Sequence, residues 1–122
     1  MSHIVEIQTE VRDPAAVVAA CERLGLPEPV HGTAKLFEGE AAGLLVKLPG
    51  WLYPIVIDTS AASVRYDNYG GSWGAAEHLD HFLQAYGVVR ASIEARKKGL
   101  SVAEQTLADG SILVTIGVGG AL

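Results

Sequence analysis

Two histidines, His78 and His81, are three residues apart in a predicted helix, and their spacing fits metal chemistry better than any other in the chain. An acidic residue precedes each of them, so one helical turn could offer two imidazoles and a carboxylate to a divalent ion. A complete site needs a further donor, and His3 and His31 carry the remaining imidazoles. The alternative is a solvated acidic turn near a helix start, where the helix dipole favours negative charge. Both interpretations stay open, and a divalent metal is the one cofactor that the sequence suggests.

A second group of candidates could bind a small molecule. They are aromatic and polar residues near the ends of the predicted central strands: Trp51, Tyr53, Arg65, Tyr66, Asp67, Tyr69 and Trp73. In a concave site the rings would supply contact area and the polar groups would fix the orientation of the ligand. The alternative is that the rings pack in the core or border a protein-binding edge of a sheet.

Catalysis has no positive support in the sequence. There is no serine in a nucleophile elbow, no recognisable pair of catalytic carboxylates and no dinucleotide fingerprint. The glycines Gly70 and Gly71 lack the spacing and the basic residue of a phosphate-binding loop. The lone cysteine, Cys21, lies on the inner face of a predicted helix, which indicates a small buried hydrophobe rather than a reactive thiol. Tyr86 is likewise expected to be a buried ring with a hydrogen-bonded hydroxyl. We therefore expect a protein without a catalytic residue.

Composition narrows the class of protein. The chain has 122 residues, of which 49% are hydrophobic and 19% charged; this length fits a single domain with a substantial core. The net charge of −5 disfavours nucleic acid as the main partner, because phosphate binding needs clustered Lys and Arg. No secretory signal and no apolar run long enough to span a bilayer are recognised. We expect a soluble, cytoplasmic protein that does not bind membranes.

Alternating hydrophobicity and turn signals predict seven strands and two helices. Asp13 followed by Pro14 predicts the start of the first helix, and Gly25 predicts its end. In chain order the predicted elements are a strand at 3–11, a helix at 14–24, strands at 30–37, 43–48, 54–58 and 63–69, a long helix within 74–99, and strands at 100–106 and 111–118. The last residues, 119–122, are expected to fray.

The order of these elements predicts the fold class. The long helix is expected to bury one apolar face, formed by Leu79, Phe82, Leu83, Tyr86, Val89 and Ile93. Short connections imply antiparallel hairpins rather than parallel crossovers. We predict an α+β domain in the order β-α-β-β-β-β-α-β-β, with a mainly antiparallel sheet of about six or seven strands and both helices on one face. Such a domain would be an elaborated ferredoxin-like unit.

Four short segments carry a resemblance to a known family: the opening Met1-Ser2-His3, the helical segment 83–86, and the segments 98–105 and 109–112 around the last predicted turn. The chain resembles the hypothetical chloroplast reading frame thirty-five family, small proteins of plastids, cyanobacteria and other bacteria whose biochemical role is unassigned. Residues 31–73 depart from the photosynthetic members. The resemblance implies a standalone domain that works beside an ATPase of the AAA type, and it supplies no catalytic residues.

Two functional hypotheses follow. The first is a non-enzymatic interaction module or accessory subunit that offers a sheet edge or an open sheet face to a protein partner or to a second copy of itself. This hypothesis rests on a high apolar content combined with only two helices, which are too few to cover both faces of a large sheet. The second is a small-molecule or metal-binding protein or enzyme that uses the aromatic strand ends and the pair His78 and His81.

Overall fold

The computed structural model describes residues 4–118, so His3 and the predicted fraying of residues 119–122 lie outside the described part. The helices are α1 (Pro14–Leu24) and α2 (Ala76–Lys97), and the strands are β1 (Val5–Gln8), β2 (Val30–Leu36), β3 (Gly39–Val46), β4 (Ile55–Asp58), β5 (Ser63–Tyr66), β6 (Ser101–Thr106) and β7 (Ile112–Gly117). The predicted α+β class and element order are confirmed. The chain divides into two compact units, Met1–Tyr86 and Gly87–Leu122, and the prediction of a single domain stays a prediction.

The strands form two antiparallel sheets rather than one. In the first unit the order of the five-stranded sheet is β1-β5-β4-β3-β2, and in the second unit β6 pairs with β7. The first strand is shorter than predicted, whereas β3 begins four residues earlier because its hairpin with β2 is long. Local turn signals found each hairpin but could not show that β6 and β7 pair only with each other among residues 4–118.

Helix α1 has the ends that the sequence predicts. The Asp13 carboxylate accepts a hydrogen bond from the backbone N–H of Ala15, Pro14 occupies the first turn, and Gly25 ends the helix in the left-handed conformation. Cys21 is 1% exposed on the inner face. Burial raises the pKa of the Cys21 thiol to about 11, so the thiol is protonated at neutral pH and has the inert character that the sequence predicts.

The five-stranded sheet buries apolar residues on both of its faces. Ile55, Ile57 and Val64 share one face and are almost completely buried, as are Val17 of α1 and Phe82 of α2. On the other face a separate buried cluster contains Ala34, Leu36, Ala41 and Val56, with Ile4, Leu45 and Tyr53 packed against it. The second face is therefore covered along this cluster, contrary to the expectation of an open apolar face.

A bend in the hairpin of β2 and β3 explains how the second face is covered. Gly43 in β3 lies opposite Gly32 in β2, and an added Cβ at Gly43 would lie 2.4 Å from the backbone oxygen of Ile57. Only a residue without a side chain allows so close an approach at a φ of 157°. At the hairpin turn, the Cβ position of Gly39 lies 3.5 Å from the Ile4 side chain, next to the opposite edge strand. The hairpin thus curls across the sheet.

The first half of α2 is anchored by the hydroxyl group of Tyr86. This oxygen accepts hydrogen bonds from the backbone N–H groups of Arg12 and Asp13, both at 3.1 Å, and the side chain is 4% exposed. The predicted role of Tyr86 as a buried ring with a bonded hydroxyl is confirmed. The bonds hold α2 to the segment that leads into α1, within the first unit.

Replacing Tyr86 by Phe should destabilise the fold while keeping the buried ring. Two part-buried N–H groups would lose their acceptor, and we expect a loss of about 1–3 kcal/mol in the free energy of unfolding. Urea denaturation followed by circular dichroism measures the change. Tyr69→Phe is the control, because the Tyr69 ring is 42% exposed. An equal loss in both variants would contradict the anchoring role.

The second half of α2 buries a different stripe from the predicted one. Val88, Ser92 and Ala95 are buried, whereas Val89 and Ile93 are half-buried. Ser92 and Ala95 are too small or too polar to mark a buried face, so the pattern of large apolar residues did not predict it. Among residues 4–118, neither helix is long and apolar enough to cross a membrane.

Candidate functional site

Three aromatic rings gather in the first unit around Trp73. Its ring stacks on Tyr69 at a centroid distance of 4.7 Å, and it contacts Phe37 at 5.4 Å and Tyr53 at 5.9 Å. Phe37 is 59% exposed, and Leu52, which directly precedes Tyr53 in the chain, is 60% exposed. We call the five residues Phe37, Leu52, Tyr53, Tyr69 and Trp73 the aromatic surface.

Backbone hydrogen bonds hold the aromatic surface in place. The N–H of Leu52 donates to the carbonyl of Trp73 at 2.9 Å, and the N–H of Trp73 donates to the carbonyl of Asn68 at the same distance. The Asn68 side-chain amide donates to the carbonyl of Gly74 at 3.1 Å. These bonds tie the segment before β4 to the loop after β5, so the rings are positioned before any partner arrives.

Tyr69 occupies a backbone conformation that is rare for an aromatic residue. Its φ is +49°, and Gly70 follows with a φ of +60°. A bulky residue in the left-handed region is strained, and such strain often marks a functional position. Here the conformation presents the Tyr69 ring to Trp73 on an exposed part of the loop.

Asp67 differs from the other predicted site residues because its side chain is buried. It is 1% exposed, and its Oδ1 accepts a hydrogen bond from the N–H of Tyr69 at 3.3 Å. The second oxygen, Oδ2, is buried without a hydrogen-bond partner among the described atoms. A buried carboxylate oxygen needs a donor to offset its lost hydration. Asp67 therefore stabilises the loop through its bond to the N–H of Tyr69, and its Oδ2 can accept a further hydrogen bond.

Trp51 and Tyr66 form a separate pair. Their rings meet edge to face at a centroid distance of 5.6 Å, and the Trp51 indole N–H donates to the carbonyl of Ala75 at 3.0 Å. Gly74 lies directly beneath the indole, because an added Cβ there would lie 2.4–2.6 Å from its ring atoms. This contact sets the course of the chain between the aromatic surface and α2.

Replacing Gly74 by Ala should force the Trp51 ring out of its position. The new methyl group has no room, and overpacking of this kind costs about 1–3 kcal/mol. The intrinsic tryptophan fluorescence should shift in the same variant. Gly87→Ala is the matched control, because Gly87 lies in α2 with open space around its Cβ position. This control should gain about 0.5–1 kcal/mol from helix propensity, and a loss in both variants would contradict the steric explanation.

Arg65 lies apart from the aromatic surface in its contacts. It stands opposite Glu6 in the pairing of β5 with β1, and its Nε lies 3.4 Å from the Glu6 carboxylate. Both side chains are about half exposed, so the pair contributes little to stability. The predicted set of ligand-binding residues is thus divided among the aromatic surface, the Trp51 and Tyr66 pair, buried Asp67 and this surface ion pair.

His78 and His81 line an apolar cavity of about 180 Å³. The other lining residues are Leu24, Leu26, Leu48 and Pro49. The imidazole centroids are 6.3 Å apart, whereas a tetrahedral zinc ion at ordinary bond lengths would hold them about 5 Å apart. No group of three or more His, Cys, Asp or Glu residues is suited to a metal within residues 4–118. A metal at this pair stays a prediction, and the arrangement better fits a small apolar ligand that bears one hydrogen-bonding group.

Sequence reasoning missed Phe37 and Leu52. In β2 the buried residues Ala34 and Leu36 alternate with exposed ones, and Phe37 follows Leu36 directly in the turn before β3, where it does not continue the buried face. This pair of consecutive apolar residues was the available signal for Phe37. Leu52 carried no comparable signal, since it lies in a loop.

No family model matches this chain, and no curated protein or solved structure shows significant similarity to it. The resemblance to the chloroplast reading frame family therefore stays an expectation.

Proposed function

We propose that this chain is a non-enzymatic protein-interaction module that binds a protein partner through the aromatic surface. The observation that carries the proposal is the exposure of Phe37 and Leu52. Phe37 belongs to a cluster with three more aromatic rings, and backbone hydrogen bonds hold this cluster in place. Large exposed apolar side chains grouped in one place are typical of binding surfaces. Aromatic residues also contribute more binding energy at protein interfaces than most other types.

The packing of the rings favours a macromolecular partner over a small ligand. Trp73 contacts three other rings at centroid distances of 4.7–5.9 Å, so the rings fill the space between one another. They offer an outer surface rather than an enclosing pocket. The hydrogen bonds that hold Trp73 reduce the entropy lost on binding, because the loop is already ordered.

The aromatic surface replaces the open sheet face as the reason to expect an interaction role. The second face of the sheet buries its own cluster around Ala34 and Leu36, so an open sheet face no longer supports it. The family resemblance suggests an ATPase of the AAA type as the first partner to test. Any protein with an apolar patch that fits the exposed rings meets the physical requirement for a partner.

Replacing both Phe37 and Leu52 by Ser should abolish partner binding with little effect on folding, since both residues are mostly exposed. Affinity capture from the native organism, with quantitative mass spectrometry, should show the partner on the wild-type protein and at least a tenfold loss on the variant, equivalent to about 1.4 kcal/mol. Direct titration of the purified partner should confirm this loss.

Val30→Ser is the matched control. Val30 is an apolar residue of β2 with 62% exposure, at the opposite end of that strand from Phe37. It should leave binding unchanged. Capture of the same proteins by the double variant, or equal losses in the double variant and the control, would contradict a role for the aromatic surface.

The cavity beside His78 and His81 supports small-molecule binding as a second candidate function. Two imidazoles at the wall of an apolar cavity provide the few polar groups that orient a ligand in such sites. The size of the cavity limits the apolar part of a ligand to about one aromatic ring, judged by comparable cavities that bind benzene.

Phenol is a suitable probe for this cavity, because it carries one aromatic ring and one hydrogen-bonding group. Titration should shift the imidazole NMR signals of His78 and His81, and Leu26→Trp should abolish the shifts by filling the cavity. Leu52→Trp adds the same ring on the exposed aromatic surface and should leave them intact. Zinc chloride, titrated separately, tests the metal prediction through loss of binding in His78→Ala. Unchanged signals with both probes would remove this candidate.

A further inference from the structure

The outer edge of β7 carries backbone groups that pair with no other strand within residues 4–118. At the turn before β7, the N–H of Leu107 donates to the carbonyl of Ser111 at 2.8 Å, so these two residues form a hydrogen-bonded pair. Antiparallel pairs alternate between bonded and non-bonded types, and the register places Leu113, Thr115 and Gly117 at the bonded positions. The N–H and C=O groups of the alternate residues therefore point to the outer edge. Those residues are Ile112, Val114 and Ile116.

β7 has none of the features by which proteins protect an edge strand. Its sequence, Ile-Leu-Val-Thr-Ile-Gly, contains no charge and no proline, and β-branched residues predominate. Charged residues, prolines and bulges are the usual means of preventing one edge from pairing with another. Among residues 4–118, β6 is the only strand that pairs with β7.

Additional strands would stabilise the hairpin. Every residue of β6 and β7 is half-buried or exposed, and Leu113 and Ile116 are each 48% exposed. A two-stranded hairpin alone is only marginally stable in water, and either further strands with an apolar face or packing against a helix stabilises it. Val102, Ile112, Val114 and Ile116 share one face of the hairpin with Glu104 and Thr106, so four of the six residues on that face are apolar.

We propose that β7 pairs antiparallel with β7 of a second copy of this chain, with the two-fold axis at Val114. In this register Val114 lies opposite the partner's Val114, and Ile112 lies opposite the partner's Ile116. All three outward-facing residues of each strand are then hydrogen-bonded pairs. The result is a four-stranded sheet in the order β6-β7-β7-β6, with Val102, Ile112, Val114 and Ile116 of both copies on one face.

The self-complementarity of the strand selects a second copy over an unrelated strand. A two-fold interface brings the same residues of both copies together, so any charge near the axis would meet its own like. β7 has no charged residue, and its isoleucines lie symmetrically two residues on either side of Val114. In this register the outward-facing backbone groups bond to each other, isoleucine side chains pair across the axis, and no like charges of β7 meet.

This proposal goes beyond the proposed function and concerns the other compact unit. Failure of β7 pairing would leave the aromatic surface as the site for another protein. Failure of partner binding at Phe37 and Leu52 would likewise leave the dimer intact.

Charge substitutions at Val114 test the proposal. Sedimentation equilibrium of the wild-type protein should show a dimer. Val114→Lys and Val114→Glu should each raise the dissociation constant at least tenfold, because like charges would face each other across the axis. An equimolar mixture of the two variants should restore the dimer as a heterodimer, which shows that both still fold. Thr115→Lys, on the opposite face of the same strand, should change dimerisation much less.

Disulfide trapping tests the register. In a Cys21→Ala background, an equimolar mixture of Leu113→Cys and Thr115→Cys should form a disulfide-linked heterodimer on mild oxidation, since Leu113 lies opposite the partner's Thr115 as a non-bonded pair with Cα atoms about 4.5 Å apart. Thr115→Cys alone should not, because its equivalent in the partner lies roughly 8 Å away, too far for a disulfide. A wild-type protein that stays monomeric at about 1 mM, a mixture of the Val114 variants that does not restore the dimer, or equal trapping of Thr115→Cys alone would overturn the proposal.

Discussion

The backbone of Trp73 is the constraint on which the candidate binding surface depends. Its carbonyl accepts from Leu52 and its N–H donates to Asn68, so two loops far apart in sequence are fixed to one residue. The indole ring then serves as the centre against which Phe37, Tyr53 and Tyr69 pack. Because these backbone groups bond to one another within the loops, the rings can be exposed without leaving the N–H or C=O group of Trp73 unpaired.

The curled hairpin of β2 and β3 brings Phe37 to this centre. Gly43 permits the close approach to β4 that bends the hairpin, and the buried residues Ala34, Leu36 and Ala41 hold it against the sheet. The same bend covers the second sheet face and carries Phe37 to Trp73. One steric feature of the backbone thus removes the surface that composition suggested and creates a different one.

Elements with strong local signals could be predicted from the sequence, and features set by distant contacts could not. Asp13, Pro14 and Gly25 determine the ends of α1 through local capping, so its bounds agree with the prediction to the residue. The start of β3 and the burial of Asp67 depend on the bend at Gly43 and on the loop around Tyr69, which involve distant partners. The structure brings Tyr53 and Tyr69 to Trp73, but residue type alone could not separate the Trp51 and Tyr66 pair from the rings around Trp73.

The two surfaces differ in the physical basis of recognition. The aromatic surface offers side chains, so its specificity comes from the shape and spacing of a few rings. The edge of β7 offers backbone groups, and its selectivity comes from register and from the absence of charge. A surface of the first kind discriminates among partners by the fit of side chains, whereas the edge of β7 would select a partner strand by register. The two surfaces lie in different compact units and share no residue, so a substitution in one surface leaves the residues of the other unchanged.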